Sequence, residues 1–379
     1  MTGVRKVCVV VASRANYGRI KSALSAISDH DDLELQLVVS ASALLDRFGK
    51  VVDAIEEDGF KIAARVYVVL EGETPTTMAK TTGLAIIELA TIFENLSPDI
   101  VITVADRFET LATAVAASYM NIPLAHTQGG ETSGSIDQSV RQAITKLAHL
   151  HFPATEVAKK RIIALGESES RVHVVGCPAM DILMNLPSID SEIFNRTKGT
   201  GPVPDLNMPY LLVVQHPVTT EFSSAREQIE ETLAAVTNLN MQAIWLWPNV
   251  DAGAEAVSRG IRIFRENEEH AKISFFKNFP PADYAALLKG AACIVGNSSS
   301  GIREAEFLGT PCVNVGSRQA GRERGENVID VAHDRGEILE GMKSALNHGR
   351  FSSRHIYGDG TAGIKIAKKL AVASLGVQK

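Results

Sequence analysis

The sequence predicts an α/β chain built as two successive domains, each a parallel sheet flanked by helices. Three observations predict it. Short β-branched runs alternate with longer amphipathic stretches through both halves of the 379 residues. The runs are continuously apolar, as expected of strands covered on both faces. Residues 187–209, rich in Pro, Gly, Asn and Asp and without periodicity, separate the two series as a linker.

In the first series, strands are expected at Lys6–Ala12, Leu33–Val39, Ile62–Leu70, Ile100–Val104, Pro123–His126, Leu150–Pro153 and Arg171–Val175. Helical patterns at Tyr17–Ile27, Met78–Leu96 and Glu109–Met120 lie between them. The second series has strands at Tyr210–Gln215, Ala243–Trp247, Ile273–Phe276, Ala292–Val295 and Pro311–Val315. A last helix, about Ala362–Leu375, has no strand after it and is expected to fold back on the first domain. The expected division is therefore 1–186 with 360–379 returning to it, the linker 187–209, and 210–359. Two such domains face each other across a cleft, and open parallel sheets bind ligands at their strand carboxyl ends. Neither half carries a G-x-G-x-x-G fingerprint or a Walker lysine loop, so no dinucleotide cofactor is expected.

Composition narrows the function. Hydrophobic residues are 45% and charged residues 22% of the chain, the balance of a soluble globular protein. A formal charge of -6 argues against broad binding to nucleic acid or anionic membrane. The opening MTGVRKVCVVVAS reads as a first buried strand rather than a signal peptide, and no run is long enough to span a bilayer. A cytoplasmic location is the expectation. Cys8, Cys177, Cys293 and Cys312 show no C-x-x-C spacing and read as small buried hydrophobes. No His-rich cluster or Asp-x-Asp loop is present, so neither metal nor cofactor is expected.

Five polar clusters follow expected strands. Ser13–Arg19 (SRANYGR) places Arg14 where a guanidinium and helix-end amides suit a phosphate; the plainer alternative is an N-cap beside a solvated Arg. Asp106, Arg107 and Glu109 follow the fourth strand, where Asp106 either caps a helix or joins an acid to an anion-binding cation. His126, Gln128, Glu131, Asp137 and Arg141 fall within sixteen residues, too dense for loop solvation alone, although Asp137 could cap the helix carrying Arg141. The glycines Gly129 and Gly130 would let backbone approach a ligand. His216, in QHP, faces the first domain across the cleft if it is not simply structural. Ser298, Ser299, Ser300 and Gly301 form a loop suited to a diphosphate, Glu304 one turn later suits ribose hydroxyls, and Arg318, Arg322 and Arg324 imply an anion nearby.

These clusters, in this order, resemble the hydrolysing nucleotide-sugar 2-epimerases. The matching stretches are SRANYG, ADRFETLATAVAA, HTQGGETSGSIDQSVRQAITKLAHLHFPATE, QHPVTTE, GNSSSGIREAEFLGTP and GSRQAGRERGENVIDV, so the likeness runs through nearly the whole chain. It implies the glycosyltransferase-B fold, with two Rossmann-like domains facing across a cleft, and a homodimer. It also implies a reaction in which the C2 proton of a 2-acetamido sugar is removed with anti-type elimination of the nucleoside diphosphate. Water then adds to the resulting 2-acetamidoglucal and releases the free manno sugar.

By position the resemblance marks Asp106 and Asp137 as catalytic acids. It marks Arg14, Arg107, His216, Ser298, Ser299 and Arg318 as diphosphate contacts and Glu304 as the ribose contact. Arg141 orients an acid or binds phosphate. Two departures stand out: Gln128 where sialic-acid-pathway members carry Glu, and Asn16 where Asp is frequent. Gln128 cannot exchange a proton, so Asp106, Asp137 and Glu131 are all candidates for the base. HTQGGE with SRQAGRERGEN looks closest to the branch acting on N,N'-diacetylbacillosamine, with UDP-N-acetylglucosamine as the alternative and UDP or GDP left open. The rival activities are a non-hydrolysing epimerase, a glycosyltransferase and a non-enzymatic nucleotide-sugar sensor.

Overall fold

The computed structural model describes residues 3–376 except 73, 185, 187, 190, 249–250 and 268–271. Linker positions 187 and 190 and tail residues 377–379 thus lie outside the described residues, as do Met1 and Thr2.

The first sheet contains β1 (Arg5–Val11), β2 (Leu33–Ser40), β3 (Ile62–Val66), β4 (Ile100–Val104), β5 (Leu124–Thr127) and β6 (Leu150–Phe152). All are parallel, in the order β3-β2-β1-β4-β5-β6. The second contains β7 (Gly199–Thr200), β8 (Tyr210–Val214), β9 (Gln242–Leu246), β10 (Ile273–Phe276), β11 (Cys293–Gly296), β12 (Cys312–Val315) and β13 (Val328–Val331). Its order is β13-β12-β11-β8-β9-β10-β7, parallel apart from the antiparallel edge pair β10/β7. Each sheet is doubly wound, and the winding reverses between β1 and β4 in one and between β8 and β11 in the other. A crevice opens at each reversal. The two lobes together have the glycosyltransferase-B arrangement.

Apolar residues on both faces of each sheet make separate cores, with Val7, Val9 and Leu37 on one side of the first sheet and Cys8, Val10 and Val101 on the other. The four cysteines are buried and unpaired. The helix Ala362–Val372 buries Ile366 and Leu370 in the first lobe's core, against the helix Lys21–Ser28. Asp181 accepts hydrogen bonds from the N–H groups of Ala362 and Gly363, at 2.9 and 2.7 Å, and fixes where the returning helix begins.

Four expectations are corrected. The seventh run, Arg171–Val175, is no strand: it lies beside β6 with backbone bonds at His173 and Val175 but a single bridge, Val172 to His151. Val172 and Val175 are buried there from an irregular segment that soon turns into the helix Pro178–Leu183. The run Ile62–Leu70 is a strand only to Val66. The expected helix Tyr17–Ile27 is two helices, Arg14–Gly18 and Lys21–Ser28, and Arg19 caps the first at the break. The linker carries a helix, Glu192–Arg196, and the edge strand β7; Phe194 packs on Phe276 at 5.4 Å, so this segment belongs to the second sheet's core.

Candidate active site

The carboxyl ends of β1, β4, β5, β8 and β11 carry the five polar clusters, so the two winding reversals bring them to one cleft. Asn16 joins β1 to β4: its Oδ1 accepts from the Ala12 N–H at 3.2 Å and its Nδ2 donates to the Val104 carbonyl at 3.3 Å. An aspartate could accept the first bond but could not donate the second. After β4 and β5 the chain passes through left-handed non-glycine residues, Ala105 (φ 64°) and Gln128 (φ 60°). Such backbone is costly and is kept where it aims side chains. Here it turns Asp106 and Glu131 inward.

Asp106 is buried and hydrogen-bonded by Arg141, with Arg19 and Arg322 each at 3.9 Å. Burial alone would raise its carboxyl, but these three guanidiniums outweigh it and hold the group well below the usual carboxylate range. Glu131 is likewise buried and held down, by Arg303 and by Arg322 at 3.6 Å. Asp137 goes the other way. Burial and the nearby Asp106 charge raise its carboxyl against Arg318, whose nearest nitrogen is 3.8 Å away. Asp106 and Asp137 therefore have environments that push their proton affinities apart, the arrangement in which one carboxylate stays ionised while its neighbour can exchange a proton.

In front of this network lies a cleft of about 740 Å³, its open mouth included. Arg14 and Arg19 line it from the first lobe, and His216, Ser298, Ser299 and Glu304 from the second. Ala179, Leu183, Leu246 and Phe279 make one part apolar. Apolar wall beside guanidiniums, hydroxyls and a carboxylate suits a base, a diphosphate and a ribose respectively. Burial lowers Arg14 to about 10 and drives His216 well below its ordinary range, so the histidine sits there neutral. Glu304 Oε2 is buried without a hydrogen-bond donor among the described residues.

Of the alternative cap readings, the one at the first cluster holds, since the Ser13 hydroxyl caps the helix Arg14–Gly18 by accepting from the Asn16 N–H at 3.2 Å, and the other two fall away. Neither Asp106 nor Asp137 caps its helix, since the N-caps are Arg107 and Ile136 and neither makes a side-chain cap. Arg141 orients Asp106 and also donates to the Glu131 carbonyl at 2.7 Å. Arg107 is clamped between Glu109 (3.0 Å) and Asp251 (2.8 Å), which spend its charge inside the protein. His126 has no exposure: Nε2 meets the Ala105 carbonyl at 2.7 Å, Nδ1 meets Thr145 at 3.2 Å, and burial lowers it to about 4. It holds β5 to β4.

The space before Gly130 is taken by the Ala158 carbonyl, so that glycine, at φ 76°, serves the protein's own packing rather than a ligand's approach. Arg318, Arg322 and Arg324 do not converge on one anion; they pair with Asp137, with Glu131 and Asp106, and with Asp330. Ser300 is turned to Tyr284 and Ser298, and Gly301 is buried over Cys312.

Arg19 and Arg303 lie inside the sequence motifs with no role assigned to them there, and Tyr284 and Asp251 lie outside every motif. Arg19 bonds Ser299 across the cleft, and Arg303 reaches Glu131. Strand-end position was the available signal for Asp251, which follows β9.

The family model for UDP-N-acetylglucosamine 2-epimerase matches residues 25–371. The UDP-N,N'-diacetylbacillosamine 2-epimerase (hydrolyzing) of Legionella pneumophila is 36% identical over 94% of this chain and 93% of its own. The GDP/UDP-N,N'-diacetylbacillosamine 2-epimerase (hydrolyzing) of Campylobacter jejuni is 34% identical over 90% of this chain and 88% of its own. The crystal structure of the Methanocaldococcus jannaschii UDP-GlcNAc 2-epimerase with UDP-GlcNAc and UDP superposes with a TM-score of 0.80 at 18% identity, covering 97% and 100% of the two chains.

Proposed function

The chain belongs to the UDP-N-acetylglucosamine 2-epimerase family, and on that premise we propose that it is a hydrolysing 2-epimerase of a nucleotide-activated diacetylbacillosamine. The observation that carries the reaction is the opposed setting of Asp106 and Asp137 behind a cleft suited to a nucleoside diphosphate. Asp137 takes the C2 proton, because its raised carboxyl is the better base of the three acids. Glu131 and Asp106 are held ionised by guanidiniums and so hold protons poorly.

As the C2–H bond breaks, its electron pair forms the C1=C2 double bond and the C1–O bond leaves with the diphosphate. Arg14, Arg19, Ser298, Ser299 and Arg318 stabilise the departing charge, and Glu304 holds the ribose. Water then delivers hydroxyl to C1, and a proton returns to C2 on the opposite face. Arg107, His126, Ser300 and Gly301 shape the site rather than touch the diphosphate. The sugar assignment follows the Legionella and Campylobacter relatives, both named for diacetylbacillosamine.

A panel crossing UDP and GDP with diacetylbacillosamine and N-acetylglucosamine tests the proposal. Release of free nucleotide and a free manno sugar, fastest with diacetylbacillosamine, is expected. Preference for UDP-N-acetylglucosamine would move the assignment to that sugar. An intact nucleotide-linked manno product would make the enzyme non-hydrolysing. Transfer to an acceptor would make it a glycosyltransferase, and binding without turnover a sensor.

A further inference from the structure

Arg303 is a charged group of the site with no part in the chemistry set out above. It follows the Ser298–Gly301 turn of the second lobe, yet its side chain is 1% exposed and crosses to the first. Nη2 donates to Glu131 Oε2, while Nη1 donates to Gln128 Oε1 at 2.9 Å and to Cys177 Sγ at 3.4 Å. The guanidinium stacks 5.2 Å from the ring centre of Tyr357, whose hydroxyl is itself tied to the Glu323 carbonyl at 2.5 Å.

Glu131 Oε2 thus takes Arg303, with Arg322 3.6 Å away, whereas Glu131 Oε1 is buried and has no hydrogen-bond donor among the described residues. An unpaired buried acceptor is unfavourable by itself, and beside a ligand cleft it is where a donor of the ligand belongs. Gln128 braces the arrangement from the other side, its Nε2 donating to the Arg19 carbonyl at 3.3 Å. An amide suits that place because it accepts one guanidinium N–H without bringing charge. A carboxylate at 128 would compete with Glu131 for Arg303.

We propose that Arg303 is a positioning residue for the reaction: braced by Gln128 and Tyr357, it pins one oxygen of Glu131 so that the other faces an N–H or O–H of the bound sugar. Because the acceptor is the first lobe's Glu131 and the pin is the second lobe's Arg303, the setting exists only with the cleft closed. The inference rests on the epimerase reading.

The test is steady-state kinetics on the full chain with the best nucleotide sugar, comparing Arg303→Lys, Glu131→Gln, their double variant and Gln128→Glu. Arg303→Lys keeps the charge but loses the planar fork that serves Glu131 and Gln128 together, so kcat should fall about tenfold or more with KM within about twofold. In the Glu131→Gln background the same change should cost less than about twofold, because both act through one carboxylate. Gln128→Glu should lower kcat by drawing Arg303 away, and it serves as the probe if Arg303→Lys fails to fold. Multiplicative effects in the double variant, or a rise in KM alone, would overturn the proposal. A wild-type enzyme that releases no nucleotide would instead sink the epimerase reading.

Discussion

At the scale of the residue, the site is a charge network whose acids are set apart by their neighbours. If Asp137 is the base, kcat/KM must fall as pH drops through a raised carboxyl, so the acidic limb should lie above the ordinary Asp value of about 3.9. A limb at or below that value in a pH–rate profile would remove Asp137 from the role. Asp106→Asn should cut kcat at least about a hundredfold with the fold intact, and should move that limb to lower pH by deleting the like charge beside Asp137. Near-normal turnover would contradict it.

The stability linkage has the opposite sign for the two acids. Asp106, held down in the fold, stabilises above its unfolded range and loses that contribution on acidification; Asp137, raised, costs stability as pH climbs through its window. Sequence motifs found both aspartates because acids cluster visibly after a strand. They did not single out Arg19 or Arg303, because an arginine in a motif looks the same whether solvated or 1% exposed, and Arg303 has its partners 172 and 175 residues away.

At the scale of elements, the strands were legible wherever the apolar run was buried on both faces, as in β1, β4, β8 and β11. Reading failed where strand-like sequence served another end. Arg171–Val175 packs two valines against an edge without joining the ladder, and the break at Arg19 follows from the tertiary need to aim that side chain at the cleft. Two predictions belong here. Gly134 in the loop after β5 donates to the Arg318 carbonyl across the cleft at 3.1 Å, and a Cβ on it would overlap the Ser317 carbonyl. Gly134→Ala should hinder closure, lowering kcat/KM with a nearly unchanged melting temperature; an unchanged kcat/KM would show that the lobes close without this contact. Asp181→Ala removes the cap from the returning helix and should destabilise the fold by about 1–2 kcal/mol in thermal or urea unfolding. No loss would mean that buried Ile366 and Leu370 hold the helix unaided.

At the scale of the molecule, two doubly wound sheets place their winding reversals face to face, and cross-cleft pairs hold them there: Arg107–Asp251, Arg303–Glu131, Arg318–Asp137 and Thr155–Glu323. We propose that the units are 1–186 with the returning helix and 210–359, the linker being fixed to the second sheet through β7, which limited proteolysis tests. We further propose a homodimer; Leu84 and Ile87 on the helix Pro75–Leu96 are exposed apolar residues available to such a contact, and sedimentation of a Leu84→Glu, Ile87→Glu variant checks that face. Among the described residues no helix is long and apolar enough to cross a membrane. The alternation of runs made the two-domain plan readable, whereas the closeness of the lobes depends on pairings between distant residues that no local pattern encodes.

In the proposed reaction the C2 proton is lost with the diphosphate and a solvent proton replaces it. Turnover of the preferred nucleotide sugar in heavy water measures this directly. Free nucleotide together with a free manno sugar carrying deuterium at C2 is the predicted result; a released sugar that keeps its original C2 hydrogen, or a product still joined to the nucleotide, would contradict it.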